Sequence, residues 1–295
     1  MFDEGIHEDI HKVISYLNDS GIQLPALIRN QDNNLFSCHE NKVWRLYQYI
    51  DGVTFDIVTK GKIAYEAGLM LGNFHRVFNT LDYQFSRIRP GVHDTQRHLK
   101  VLEDALDNQH KHPRYNEIKP LAIQILEKAN KLPKLPPTIM RKVHGDPKIN
   151  NFLFNKDTQR GICILDYDTL SDMQITLELG DAMRSWCNPC GEDEPDSCFL
   201  LEHYQAGMEG YQQSSDGLLS QSEWEGVLPA TLTIYIELAA RFCADALNEN
   251  YFSWNDKRFS SHSEHSQIRA MSQLNAGKSL LSQYKNANKI LLQIQ

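Results

Sequence analysis

The chain has no basic excess: 30 lysines and arginines stand against 38 acidic residues, for a net charge of −8. A surface that tracks a nucleic-acid backbone carries the opposite balance, so nucleic acid is not an expected partner. No apolar run approaches the roughly eighteen residues of a membrane span, and no charged-then-apolar leader is present, so neither membrane nor secretion is expected. Six cysteines in 295 residues do not make a disulfide scaffold, and a reducing cytoplasm is the expected compartment. There is no internal repeat, no low-complexity stretch and no Gly-x-Gly-x-x-Gly. Gly277-Lys278-Ser279 resembles the end of a phosphate-binding loop, but Ser272 stands where its first glycine belongs, inside a helical pattern. The length suffices for two lobes and a sizeable core.

What is present is concentrated between residues 139 and 170. Two apolar runs, Phe152–Phe154 and Ile162–Leu165, flank Asn155–Gly161, which is rich in turn formers, and this reads as a β-hairpin. Asp146 and Asn151 precede its first strand and Asp166 follows its second. A hairpin brings its own ends together, so these three side chains are expected at one edge. One carboxylate can take a proton from an alcohol, while an amide and a second carboxylate offer hard oxygen ligands to Mg²⁺. That is the division of labour in kinase-type phosphoryl transfer from ATP.

The same residues carry a family resemblance. His144-Gly145-Asp146, then Asn151, then Ile164-Leu165-Asp166 resembles the aminoglycoside-phosphotransferase-like kinases. Within them, Asp146-Pro147-Lys148-Ile149-Asn150-Asn151 and Leu165-Asp166-Tyr167-Asp168-Thr169 are similar to stretches of the N-acetylhexosamine 1-kinases. His93-Asp94-Thr95, Leu179-Gly180-Asp181, Glu237 to Arg241 and Tyr251-Phe252 extend the likeness over most of the chain. The resemblance implies an α+β, protein-kinase-like two-lobed fold with a partial small lobe (1–52) and a mostly helical large lobe (53–295). It implies a cytoplasmic enzyme using ATP and Mg²⁺ on a sugar, giving a sugar 1-phosphate from the anomeric hydroxyl of an N-acetylhexosamine. Related kinases with the same core take aminoglycosides, choline or homoserine, and the fold alone does not choose between acceptors.

Roles follow residue by residue. Asp146 is the base, Asn151 and Asp166 hold the metal, and Asp168 is a candidate for supporting that metal or for holding a second one. Gln48, Tyr49 and Ile50 lead into an interlobe hinge that holds adenine. Lys148 either offsets charge near the transferred group or is a solvated loop lysine. His93 and Asp94 belong to the sugar pocket, although Asp94 or Thr95 can equally be a helix N-cap. Arg241 interrupts an apolar helix, where an arginine must find acceptors or snorkel to the surface, and the family match puts it in the pocket with Tyr251. Glu8 is either the ion-pairing acid of a small-lobe helix or a solvated residue, and Asp181 is structural.

Elsewhere, periodicity predicts helices over Ile6–Leu17, Lys62–Phe78, residues around Leu99–Leu106, Ile118–Ala129, Thr176–Trp186, Pro229–Leu247 and 263–290, and strands over Leu35–Cys38 and Val43–Ile50. Gly68 and Gly72, four apart, suit close packing on a neighbour. Ser220 and Glu223 form a capping box. Cys187-Asn188-Pro189-Cys190 lacks a second matched pair, which argues against zinc. The kinases that this chain resembles carry strands and a glycine-rich loop ahead of the first helix, and here that helix follows Met1 almost at once. The expectation is a chain with that part of the small lobe missing, hence weak nucleotide binding or, alternatively, a non-catalytic pseudokinase that binds without turnover.

Overall fold

A computed structural model describes residues 5–40, 42–86 and 92–295. Helix α1 (Gly5–Asp19) forms as its periodicity predicts and buries Ile10, Val13, Ile14 and Leu17 along one face. Glu8 is exposed on it, as a solvated-face residue would be. Short strands follow: β1 (Leu27–Ile28), β2 (Ser37–His39), β3 (Lys42–Trp44) and β4 (Leu46–Tyr47), with β2 paired to β3 and β1 to β4, both antiparallel. The single strand expected over Val43–Ile50 is therefore divided at Arg45. The two halves take different partners, and the Arg45 side chain between them meets Asp168 of a distant loop.

The helices come next: α2 (Gly61–Phe78), α3 (Thr95–Asn108) and α4 (Tyr115–Ala129). The chain then runs through β5 (Met140–Val143), a single 3-10 turn at Ile149–Asn151, β6 (Phe152–Phe154), β7 (Gly161–Ile164) and β8 (Ser171–Gln174). It closes with α5 (Ile175–Trp186), α6 (Leu201–Ser215), α7 (Gln221–Asn248), α8 (His262–Ser282) and α9 (Tyr284–Ile294). The hairpin is β6–β7, with Phe152 opposite Ile164 and Leu153 opposite Cys163. Outside it, β5 pairs with β8, Val143 opposite Ser171. The loop from β5 to β6 and the loop from β7 to β8 must therefore lie side by side. Val53 and Phe154 exchange backbone hydrogen bonds at 2.8 Å each way, which ties the chain after β4 to the same hairpin.

Helix α6 had no expected counterpart, because its contact face is glycine rather than leucine. A Cβ on Gly68 of α2 would lie 2.1 Å from the Gly207 carbonyl oxygen, and one on Gly210 of α6 would lie 2.1 Å from that of Tyr65. The two helices thus touch backbone to backbone. The expected helix over 263–290 is two, α8 and α9, parted at Gln283. Conversely, the capping box and the apolar helix beyond it are one element. Ser220 accepts from Glu223 N–H, Glu223 returns the bond to Ser220 N–H, and α7 runs 28 residues through Pro229. It is long and apolar enough to cross a membrane, but 89 % of its most apolar window is buried inside the molecule, as in a core helix. One apolar core gathers α1, α2, the β6–β7 hairpin, α5 and α6, and a second lies where α3 and α4 meet α7 and α8.

Candidate active site

The loop after β5 is built by its neighbours. Gly145 has φ +87°, and a Cβ there would lie 2.1 Å from the Thr169 carbonyl oxygen, so only glycine closes this turn against the facing loop. Glu178 of α5, fully buried, accepts from His144 N–H at 3.0 Å and from Gly145 N–H at 2.9 Å, and its first oxygen also meets His75 Nε2 at 3.2 Å. His144 Nδ1 accepts from Asp146 N–H at 3.3 Å, which assigns the ring proton to Nε2, and Nε2 donates to the Leu165 carbonyl at 2.8 Å. Thr169 Oγ1 donates to the His144 carbonyl at 2.9 Å, and Leu165 N–H to the Asn151 carbonyl at 2.7 Å. The two loops are one hydrogen-bonded unit.

On that unit Asp146 and Asn151 touch, while Asp166 follows Leu165, whose N–H is bonded to the Asn151 carbonyl, and its charge reaches Lys148. Lys148 Nζ lies 2.7 Å from Asp146 Oδ2, and Asn151 Nδ2 donates to the same oxygen at 3.2 Å and to the Asp146 carbonyl at 2.8 Å. Burial, and then the charge of Asp181, push the Asp146 carboxyl above its usual range, with Lys148 pulling the other way. A half-buried carboxylate held by a lysine and an amide, and raised in basicity, suits proton abstraction from a neutral hydroxyl. Lys148 is thus not a solvated loop residue: burial opposes its charge, Asp146 and Asp166 favour it, and the net effect is a raised pKa.

The donor chemistry fits a hard divalent cation. Asn151 spends its amide nitrogen on Asp146, which leaves its oxygen, and among the described residues Asp166 accepts no hydrogen bond. Asp166 itself sits at φ +64°, a left-handed conformation that turns its side chain out at the end of the hairpin. Asp168 differs. Arg45 Nη2 donates to its Oδ2 at 2.7 Å, and Arg45 Nη1 lies 2.5 Å from its Oδ1.

The acceptor-side candidates form a second cluster. His93 Nδ1 meets Glu237 Oε1 at 3.0 Å and Thr95 Oγ1 donates to Glu237 Oε2 at 2.6 Å, with Glu237 buried in α7. Burial works against the His93 charge, but the hydrogen bond and charge of Glu237, with Asp181 behind, raise its pKa. Its Nε2 is buried and, among the described residues, takes no hydrogen bond. Asp94 accepts from Arg97 N–H at 3.0 Å, so it is the N-cap of α3. Arg241 Nη2 donates to Tyr251 Oη at 3.3 Å, and its guanidinium lies over the Tyr251 and Phe252 rings. Asp181 links the two clusters: it pairs with Arg184 at 2.7 Å, raises Asp146 and feels both His93 and Arg241. A cavity of about 400 Å³ opens beside Lys148, bounded by Asn150, Arg184, Asn188, Glu192 and Arg258.

On the other side, Gln48 N–H donates to the Ala26 carbonyl at 2.8 Å, while Tyr49 is 82 % exposed and Ile50 packs against the first core. Cys187 is buried and Cys190 exposed, and no three His, Cys, Asp or Glu side chains among the described residues are grouped to hold a metal ion. Glu178, Glu237 and Arg45 had no assigned role in the sequence. Glu237 and Arg241 sit one turn apart in an otherwise apolar run, and that was the available signal for Glu237; a buried charge needs a partner.

Comparison with known proteins bears on this geometry. The sequence model of the phosphotransferase enzyme family matches residues 7–209. Among solved structures, a microcompartment-associated aminopropanol kinase aligns with a TM-score of 0.61 at 13 % identity, over 98 % of this chain and 84 % of that one. An aminoglycoside phosphotransferase from Alicyclobacillus acidocaldarius aligns at 0.56 and 12 %, over 99 % and 83 %. An amicoumacin kinase, in complex with AMP-PNP, Ca²⁺ and Ami, aligns at 0.55 and 12 %, over 92 % and 76 %. The fold is the mixed α+β, kinase-like one, mostly helical with few short strands.

Proposed function

The chain belongs to the phosphotransferase enzyme family, which makes it a small-molecule kinase, and on that basis we propose that it phosphorylates a sugar at the expense of Mg·ATP. The acceptor is the anomeric hydroxyl of an N-acetylhexosamine, and the product a sugar 1-phosphate. Residues up to about 52 serve the nucleotide side, with Gln48, Tyr49 and Ile50 leading into the hinge, and residues from 53 onward the acceptor side. Asp146 orients the hydroxyl and takes its proton. Lys148 holds that carboxylate in place and offsets charge at its edge. Asn151 and Asp166 hold Mg²⁺, which when bound neutralises the phosphate oxygens. The observation that carries the reading is the convergence of Asp146, Lys148, Asn151 and Asp166 on two loops locked through His144.

Acceptor class rests on charge. Among the described residues Arg241 makes no ion pair, while its guanidinium faces Tyr251 and Phe252. A cationic acceptor would meet that charge head on. A neutral sugar offers hydroxyl and acetamide oxygens to it and an apolar face to an exposed tyrosine. The test is a coupled assay over a panel of N-acetylhexosamines, an aminoglycoside and choline, with the product identified by phosphorus NMR. Turnover confined to sugars, with loss of the reducing end, is the expected result. Turnover confined to the amines, or phosphate on another hydroxyl, overturns the acceptor assignment.

A further inference from the structure

Helix α7 is apolar along most of its length, but Glu237, Arg241 and Asp245 recur at every fourth residue and so form one polar stripe. The two acids are buried, and each holds a segment beside the arginine that stands between them. Glu237 takes His93 and Thr95, as described above. Asp245, 3 % exposed, takes the segment that follows the helix. Its Oδ1 accepts from Asn250 N–H at 3.1 Å and from Tyr251 N–H at 2.8 Å, and its Oδ2 accepts from Phe252 N–H at 3.3 Å. From α8, His262 Nε2 donates to Oδ2 at 2.7 Å and Ser266 Oγ donates to it at 2.9 Å. These donors satisfy a charge that burial would otherwise make costly.

The backbone held in this way carries the ring that faces Arg241. Glu249, at φ +50°, ends α7 in a left-handed turn. Its own Cβ disfavours that conformation, so the turn needs support from outside, and three consecutive N–H groups on Asp245 supply it. Tyr251 is 64 % exposed and its ring meets Arg241 and Phe252, so core packing does little to place it. We infer that Asp245 is a positioning residue for the acceptor: through the backbone of residues 250–252 it sets where Tyr251 and the Arg241 guanidinium meet the substrate. The inference rests on the acceptor reading above, in which Arg241 and Tyr251 bind the sugar. One helix stripe thus fixes both flanks of the arginine, Glu237 on the side of residues 93–95 and Asp245 on the side of residues 250–252.

Steady-state kinetics with N-acetylglucosamine and N-acetylgalactosamine, at varied acceptor and varied Mg·ATP, test it. Asp245→Asn keeps the size of the side chain but replaces one accepting oxygen by a donor, so one set of its bonds is lost. Its kcat/KM for the acceptor should fall on the order of 10²-fold, the scale of a misplaced positioning group. Most of that loss should lie in acceptor KM, with the KM for Mg·ATP unchanged. Tyr251→Ala should also raise acceptor KM. Adding Asp245→Asn to it should cost little more, because the ring that the second change displaces is already gone. Fully additive losses in the double variant, or an ordinary acceptor KM in folded Asp245→Asn, overturn the inference and leave the kinase reading standing. So does a KM for Mg·ATP raised as far as that for the acceptor, the mark of general loosening. If the wild type turns over neither sugar, or Tyr251→Ala leaves both acceptor KM values unchanged, the acceptor reading falls and this inference with it. Should Asp245→Asn fail to fold, His262→Ala with Ser266→Ala decides in its place, since it frees the carboxylate from α8 and keeps its bonds to residues 250–252. A raised acceptor KM in that variant supports the inference, and an unchanged one overturns it.

Discussion

At the scale of single residues the carboxylate proposed as the base is placed where its charge is disfavoured. Burial and Asp181 raise the Asp146 pKa and Lys148 only partly offsets them. Turnover through a general base at Asp146 should therefore lose its acidic limb above the ordinary carboxylate range. Lys148→Met removes the offsetting cation and should move that limb further up, as a pH profile of kcat/KM would record. Asp146→Asn should cost on the order of 10²–10⁴-fold in turnover. It should leave nucleotide affinity nearly unchanged, and near-wild-type turnover would remove Asp146 from the base role. His93 has the opposite chemistry and a related sign. Its folded pKa is raised by Glu237, so its contribution to stability is complete below about pH 6.5 and is lost as pH rises through the folded value. Glu237→Gln should flatten that slope, and denaturation midpoints taken on both sides of neutrality would show whether it does.

At the scale of elements, the contact between α2 and α6 leaves no room for a methyl group. Gly68→Ala would drive a Cβ to within 2.1 Å of a backbone oxygen, which cannot rotate away as a side chain can. The expected loss is about 1–3 kcal/mol, the range for overpacking, read from a urea midpoint. An unchanged midpoint would mean that the helices stand further apart than described. This contact supports the site at one remove. His75 on α2 and Tyr211 on α6 meet at 3.1 Å, and His75 braces the Glu178 carboxylate that holds the His144–Gly145 backbone. The strand break at Arg45 belongs to this scale as well: aromatic and β-branched residues favoured one strand from Val43 to Ile50, but its two halves take different partners, β3 pairing with β2 and β4 with β1, and Arg45 between them pairs with Asp168.

At the scale of the molecule, binding and folding are linked. A nucleotide held through Asn151 and Asp166 should raise the melting temperature only when the metal is present. At a hundred times its dissociation constant a ligand adds about 2.7 kcal/mol. Asp166→Ala should abolish the metal-dependent part of that shift while leaving the unliganded protein near wild-type stability, since Asp166 is exposed and accepts no hydrogen bond among the described residues. A shift that survives the substitution would place the metal elsewhere.

What the sequence determined by itself is local. Hairpin ends coincide whatever surrounds them, so the placing of Asn151 and Asp166 at the two ends of β6–β7 followed from two apolar runs and a turn. Helical periodicity located α1, α2, α3 and α4, and the Ser220–Glu223 spacing marked the start of α7, because caps and amphipathic faces are written within a few residues of themselves. What the tertiary structure decided is every role that depends on a partner far along the chain. Lys148 and Asp94 were each open to two readings. Contact with a half-buried carboxylate drew the first into the site, and a free N–H at a helix start took the second as a cap. Glu178 and Arg45 carried no local signal of function, and Glu237 only its place one turn from Arg241 in an apolar run. A charge buried against a remote backbone or side chain looks, in one dimension, like any other charge on a helix or strand, and only the fold supplies the partner that makes its burial tolerable.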